Sequence, residues 1–182
     1  MKKIAVIPVL LVLLYLFSFS KCRKEEPVQQ LPPETTYGAM AFGCKVNGEI
    51  FVPRDSWGEI VLYAQYIYLD DNHGKGWFLN ISAVDNKATV LTSMSIGTDS
   101  LWLDQDSTYP FKIEKGFPIG EFRNYPNGSL NEFIVRNADS GQLFITKHDV
   151  SRRILAGRFW FDATNEYGKK VQIREGRFDV VY

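Results

Sequence analysis

Gly141-Gln142-Leu143-Phe144-Ile145-Thr146-Lys147-His148-Asp149, Arg153-Ile154-Leu155-Ala156-Gly157-Arg158-Phe159-Trp160-Phe161-Asp162-Ala163 and Lys169-Lys170-Val171-Gln172-Ile173-Arg174-Glu175-Gly176-Arg177-Phe178-Asp179-Val180-Val181-Tyr182 are the three runs that decide the fold class. Each alternates apolar and polar residues with period two, the signature of a half-buried strand. In the middle run Leu155, Gly157, Phe159 and Phe161 share one face, and Arg158, Trp160 and Asp162 share the other. The last run sets Phe178, Val180 and Tyr182 against Arg177, Asp179 and Val181. A bulge at Gly176 would bring Val171 and Ile173 to the side of Phe178. Asn165-Glu166-Tyr167-Gly168 supplies the turn between the last two runs. The expectation is a sheet with one apolar face and one charged face carrying a single large aromatic, Trp160.

The same reading extends upstream. Phe42-Gly43-Cys44-Lys45-Val46 enters Asn47-Gly48, a strong two-residue hairpin signal, and returns as Glu49-Ile50-Phe51-Val52 before Pro53. Strands are expected over 60–69 and 77–84, separated by a polar loop over 70–76, then around Val90–Ile96, Tyr109–Ile113 and Phe133–Val135. The Gly-Pro-rich stretch around Phe117 reads as a link. No segment beyond the N-terminus shows a helical period. The expectation is an all-β chain: a single antiparallel β-sandwich or barrel-like domain over 37–182, both architectures left open.

Composition bounds function. The chain has 182 residues, 21 basic and 21 acidic side chains, and only two cysteines. Balanced charge gives no basic footprint for nucleic acid, so no nucleic-acid partner is expected. Two cysteines exclude a disulfide scaffold and a Cys-based zinc site. At the N-terminus, Lys2-Lys3 precede an apolar run from Ile4 to Phe19, shorter than the roughly 20 residues of a bilayer span. Ser18-Phe19-Ser20-Lys21-Cys22 then places a cysteine just after that run. This resembles a bacterial lipoprotein signal, with residues 1–21 removed and Cys22 carrying the lipid. Lys21 departs from the usual small residue at its position, a relaxation familiar in lipoproteins of the Bacteroidetes type. Arg23-Lys24-Glu25-Glu26 resembles the short charged signal that sends such proteins to the cell surface. Residues 22–36, with Pro27, Pro32 and Pro33 and no aromatic residue, are expected to be a lipidated Cys and Pro-rich tether. Loss of residues 1–21 removes three lysines and no acid, leaving 18 basic and 21 acidic groups. The implied location is the outer membrane, held by the lipid on Cys22 and surface-exposed, the periplasmic face being the alternative.

The two ends of the domain resemble an uncharacterised family of Bacteroidetes-type lipoproteins. The resemblance rests on Gly141, Leu143, Ile145, Thr146 and Asp149, on Gly157-Arg158-Phe159-Trp160-Phe161, on Gly176-Arg177-Phe178-Asp179, and on the opening hairpin Phe42–Gly48. Leu143 replaces the usual Ile, and Ala156-Gly157-Arg158 replaces Ser-Gly-Thr. It implies a surface or periplasmic β domain and supplies no activity, none being established for the family.

Chemical motifs are sparse. No nucleophile elbow, zinc-binding helix, phosphate loop or Cys-x-x-Cys is present, and two histidines, His73 and His148, cannot make a three-His site. His73 reads as part of a turn and His148 as a solvated strand end. Asp70-Asp71-Asn72 and Asp104-Gln105-Asp106-Ser107-Thr108 supply oxygen ligands as a calcium loop would, but they lack EF-hand spacing and read as turns. No catalytic residue, metal ligand or cofactor site is expected. Asp162, Glu175 and Asp179 are expected in cross-strand ion pairs, and Cys44 is expected to be a buried, inert thiol. Asp99-Ser100-Leu101 and Asp106-Ser107-Thr108 resemble a short acceptor motif for O-linked glycans.

Flat aromatic faces beside hydrogen-bonding side chains suit sugar rings, so Trp160, Trp57, Arg158 and Asp162 are the candidate ligand contacts. The competing use of the tryptophans is to cap the ends of a sandwich. The leading expectation is a lipid-anchored, non-catalytic envelope or cell-surface β domain binding a polysaccharide or a surface protein. The alternatives are a lipocalin-like barrel carrying a small apolar ligand, which needs a cavity lined by Phe and Tyr, and a carbohydrate-active hydrolase, which needs two facing carboxylates.

Overall fold

The expected strands form, and one more appears where a link was expected. The computed structural model describes residues 29–71, 74–136 and 140–182. The signal segment, Cys22 and His73 lie outside them. In chain order the strands are β1 (Ala41–Val46), β2 (Glu49–Phe51), β3 (Leu62–Asp71), β4 (Gly74–Asp85), β5 (Thr92–Thr98), β6 (Thr108–Pro110), β7 (Pro118–Asn124), β8 (Asn131–Ile134), β9 (Gly141–Asp149), β10 (Ile154–Thr164) and β11 (Lys170–Val181). The only helical piece among the described residues is one 3-10 turn, Pro126–Gly128.

All the paired strands run antiparallel in one open sheet, β2-β1-β11-β10-β8-β7-β5-β4-β3, with β9 added to β10 and β6 to β9. β10 is the corner. Its Ile154–Phe161 stretch pairs with β9, and only Thr164 reaches Ile134 of β8. The sheet therefore bends into two halves, β2-β1-β11-β10-β9-β6 and β8-β7-β5-β4-β3, whose apolar faces share one core. The result is an all-β, sandwich-like domain whose sheet is not closed.

Alternation decides what enters the core. Leu155, Phe159, Phe161 and Ala163 of β10 are buried together with Leu143 and Ile145 of β9, Ile81 of β4, and Met94 and Ile96 of β5. Fully burying a Phe or Leu side chain contributes about 1.5–3 kcal/mol. The Phe rings that a lipocalin-like cavity would need instead touch one another, Phe42 with Phe159 at 5.4 Å and Phe111 with Phe161 at 5.2 Å.

The bulge falls where β11 was expected to break step. Glu175 takes a positive φ of 52°, and the pairing jumps from Phe159↔Gly176 to Phe161↔Ile173. Val171 and Ile173 on one side of it, and Phe178 and Val180 on the other, are thereby all buried. Gly176 is required by close approach, because a Cβ there would lie 2.5 Å from the Phe159 ring. The same physics explains β7. Its Pro118 and Gly120 look like loop residues, yet Gly120 leaves room for the Phe161 ring, 2.8 Å from where its Cβ would be. The ladder of β3 and β4 likewise runs on to Asp71↔Gly74, through the stretch read as a polar loop. Asn47 and Gly48 both have positive φ, 51° and 92°, as a two-residue hairpin turn of primed type requires.

Candidate functional site

The outer face of β9, β10 and β11 carries Trp160 and Arg158, as alternation requires, with Asp162 beyond them. Trp160 lies opposite Gln142 of β9 and retains 36% of its exposure. Arg174 of β11 backs the indole, its guanidinium carbon 5.4 Å from the ring centroid. Arg174 is itself held by Asp162 Oδ1 at 2.6 Å and by donating to the carbonyls of Phe161 and Ile173. Asp162 is thus a positioning residue behind the ring. In front of the ring a depression of about 270 Å³ is lined by Gln142, Phe144, Trp160, Arg158, Arg177 and Glu175. Arg158 stacks over the Phe144 ring at 5.1 Å.

The second wall of this depression comes from an unexpected source. Residues 31–36, read as free tether, lie across the outer face of β1, β11 and β10. Pro32 and Leu31 pack over Gly43, where a Cβ would be 2.6 Å from Pro32 Cδ. The arm is pinned by Asp179, which is buried and accepts from the backbone amides of Tyr37, Gly38 and Ala39 at 3.1, 2.8 and 3.1 Å. Asp179 was expected to pair with a neighbouring arginine; three converging N–H groups satisfy it instead. Between arm and sheet lies a second cavity of about 160 Å³, lined by Pro33, Glu34, Thr35, Arg158, Arg177 and Asp179 among others. Glu34, Arg158 and Arg177 border both spaces, so the two form one groove.

The electrostatics of the groove are unusual. Among the described residues, the carboxylate nearest Arg158 is Glu34, at 3.9 Å, beyond hydrogen-bond range. Arg177 donates weakly to the carbonyls of Pro32 at 3.4 Å and Glu175 at 3.3 Å, and its carboxylate neighbour Glu175 stands 4.0 Å away. Glu175 instead takes Lys45 at 2.6 Å, the expected cross-strand pair. The Thr35 hydroxyl is buried with no hydrogen-bond partner among the described residues. Two guanidinium groups therefore carry spare hydrogen-bonding capacity into one groove, with an unpartnered hydroxyl buried beside it.

The other candidates lie elsewhere. Trp57, 76% exposed, sits in the β2–β3 loop, which is tied to the end of β4 by Arg54 and Asp85 at 2.6 Å, and it lines neither part of the groove. Trp77 and Trp102 belong to an aromatic cluster at one end of the sandwich, 5.0 Å apart and both in ring contact with Tyr66. His148 is part of that cluster and not a solvated strand end. Its Nδ1 lies 2.6 Å from the Leu103 carbonyl oxygen and its Nε2 3.0 Å from the Tyr182 hydroxyl. Ser100 donates its hydroxyl to Lys75 O, and Ser107 turns toward Gln105 O. Cys44 is fully buried, and desolvation pushes its thiol pKa up, so the thiolate is suppressed.

Phe144, Gln142, Arg177, Glu34 and Thr35 were not singled out by sequence. Gln142 and Phe144 were legible in principle, because they occupy alternating positions on the neighbouring strand. The arm residues carried no such signal. Comparison of the chain with protein-family models, with curated proteins and with solved structures finds no match in any of the three.

Proposed function

We propose that this chain is a lipid-anchored, non-catalytic carbohydrate-binding domain of a bacterial envelope, with the groove over Trp160 as its binding site. The observation that carries the reading is Trp160 itself. It is a large aromatic on the outer face of the sheet, backed by Arg174, with its exposed part facing a depression rimmed by the polar groups of Gln142, Arg158 and Glu175. Sugar rings present an apolar C–H face and an equatorial fringe of hydroxyls, which such a platform matches. Rings that serve only to cap a core pack against other rings, as Trp77 and Trp102 do. A hydrolase is not favoured. Of the carboxylates at this face, Asp162 and Glu175 are each held by a cation at 2.6 Å, which leaves Glu34, 3.9 Å from Arg158, without a second loosely held carboxylate to face it among the described residues. The lipoprotein-like N-terminus supports an anchored location, at the outer membrane and facing outward.

The test is a glycan array probed with the full chain in detergent. The reading predicts saturable binding to at least one class of polysaccharide and loss of that binding in Trp160→Ala, with Trp57→Ala unaffected. Binding that survives Trp160→Ala would place the site elsewhere.

A further inference from the structure

We propose that the ligand of this groove is an acidic saccharide, a hexuronate-bearing chain, and that Glu34 of the N-terminal arm occupies the place its carboxylate takes. This rests on the carbohydrate-binding reading and adds the chemical class and the role of the arm. Arginine reads carboxylates through planar, bidentate hydrogen bonds, and such charge-assisted bonds are about twice as strong as neutral ones. Elsewhere on this protein arginines hold carboxylates at close range: Arg54 with Asp85 at 2.6 Å, Arg123 with Glu132 at 3.0 Å, and Arg174 with Asp162 at 2.6 Å. Arg158 and Arg177 do not, their contacts with Glu34 and Glu175 being 3.9 and 4.0 Å.

The geometry of the groove assigns the roles. Trp160 forms the apolar floor on one side, and Arg158, stacked over Phe144, stands with Arg177 at the border with the arm cavity. A pyranose stacked on Trp160 would direct a ring carboxylate toward Arg158, which borders both the depression and the arm cavity. Glu34 faces Arg158 too loosely to saturate it, and its side chain is about half exposed, so it can leave. The incoming carboxylate replaces an intramolecular one with little change in local charge. A neutral sugar can accept hydrogen bonds from the two guanidinium groups through its hydroxyls, but it cannot supply the opposite charge and bidentate geometry of a carboxylate.

The experiment is calorimetric titration of the full chain in detergent with three acidic probes, oligogalacturonate, oligoalginate and hyaluronan tetrasaccharide. Each is paired with the neutral oligosaccharide made from it by reducing the carboxylates to hydroxymethyl groups. The expected result is at least tenfold tighter binding of one acid than of its reduced form, a preference lost in Arg158→Gln. Arg177→Gln should weaken the acid in the same way, and Glu34→Gln should tighten the acid several-fold and leave the neutral form unchanged. If a neutral form binds as tightly as its acid and depends on Trp160, the acidic class is overturned and the carbohydrate reading stands. A Glu34→Gln protein that binds the acid no better overturns the stand-in role of Glu34. If no saccharide on the array or in the titration binds, both readings fall together.

Discussion

The groove over Trp160 and the aromatic end around Tyr66 both hold tryptophan among polar groups, yet they are built in opposite ways. At the end of the sandwich the polar atoms are spent. The Tyr66 hydroxyl donates to Leu101 O at 3.0 Å and accepts from Leu103 N at 2.9 Å, the Trp102 indole donates to Asp104, and His148 bridges Leu103 and Tyr182. The Tyr66 ring touches Trp77, Trp102, His148 and Tyr182 within about 6 Å. In the groove, by contrast, Trp160 is backed by Arg174, and the cations in front of it lack close carboxylate partners among the described residues. What separates a structural tryptophan from a ligand-facing one here is the state of its neighbours' hydrogen bonds, more than its own exposure: Trp102 and Trp160 are exposed to nearly the same degree, 38% and 36%.

The sharpest way to break this contrast is to truncate the central ring of each region. Tyr66→Ala removes a buried ring and orphans a carbonyl and an amide, and it should lower the free energy of unfolding in urea by about 3–5 kcal/mol. Trp160→Ala should cost less than about 1 kcal/mol, as substitutions at exposed sites do. Equal losses would make Trp160 a structural residue and remove the basis for the contrast.

A smaller effect concerns the arm that walls the groove. Asp179→Ala strands three amides that now share one buried carboxylate, and it should cost about 2–3 kcal/mol. It should also speed hydrogen exchange at Tyr37, Gly38 and Ala39 while leaving the Tyr66 end unchanged. Amides that keep their protection would mean the arm is held by Pro32 and Leu31 alone.

The smallest effect concerns a third region, the outer face of β5, β7 and β8, where Arg123 has two close carboxylates, Glu121 at 2.5 Å and Glu132 at 3.0 Å. Partial burial, aided by a hydrogen bond with Glu132, pushes Glu121 up to about 7 from its ordinary 4.5. The folded chain therefore binds a proton there that the unfolded chain releases. This contribution is fully present below about pH 4.5 and is lost as pH rises toward 7, so stability falls across that window. Glu121→Gln should flatten the fall when melting temperature is followed from pH 5 to 8. An unchanged slope would assign it to other groups.

Much of this was legible in the sequence where period two and turn chemistry agree. The β9–β11 ladder, the Asn47-Gly48 hairpin, the bulge before Arg177 and the outward face of Trp160 follow from alternation and from φ-permissive residues. β7 was missed because Pro118 and Gly120 speak locally for a loop, while the Phe161 ring that requires a small residue at 120 lies on a strand about forty residues away. Half of the candidate site was missed for a related reason. Pro32, Glu34 and Thr35 have the composition of a tether, and only Asp179, outward by alternation and buried by the arm, shows where that segment docks. Trp57 and Trp160 looked alike in sequence because loop and sheet aromatics both read as candidates. Only the sheet supplies Arg158, Arg177 and Gln142 beside the ring.

The most direct test of the groove as a sugar site follows the four tryptophan indole N–H resonances of the full chain by NMR during titration with the oligosaccharides used above. The Trp160 signal should shift saturably while those of Trp77 and Trp102 stay fixed and that of Trp57 is at most broadened. A saturable shift at Trp57 or in the Trp77–Trp102 pair, with Trp160 unmoved, would contradict a sugar site in the groove.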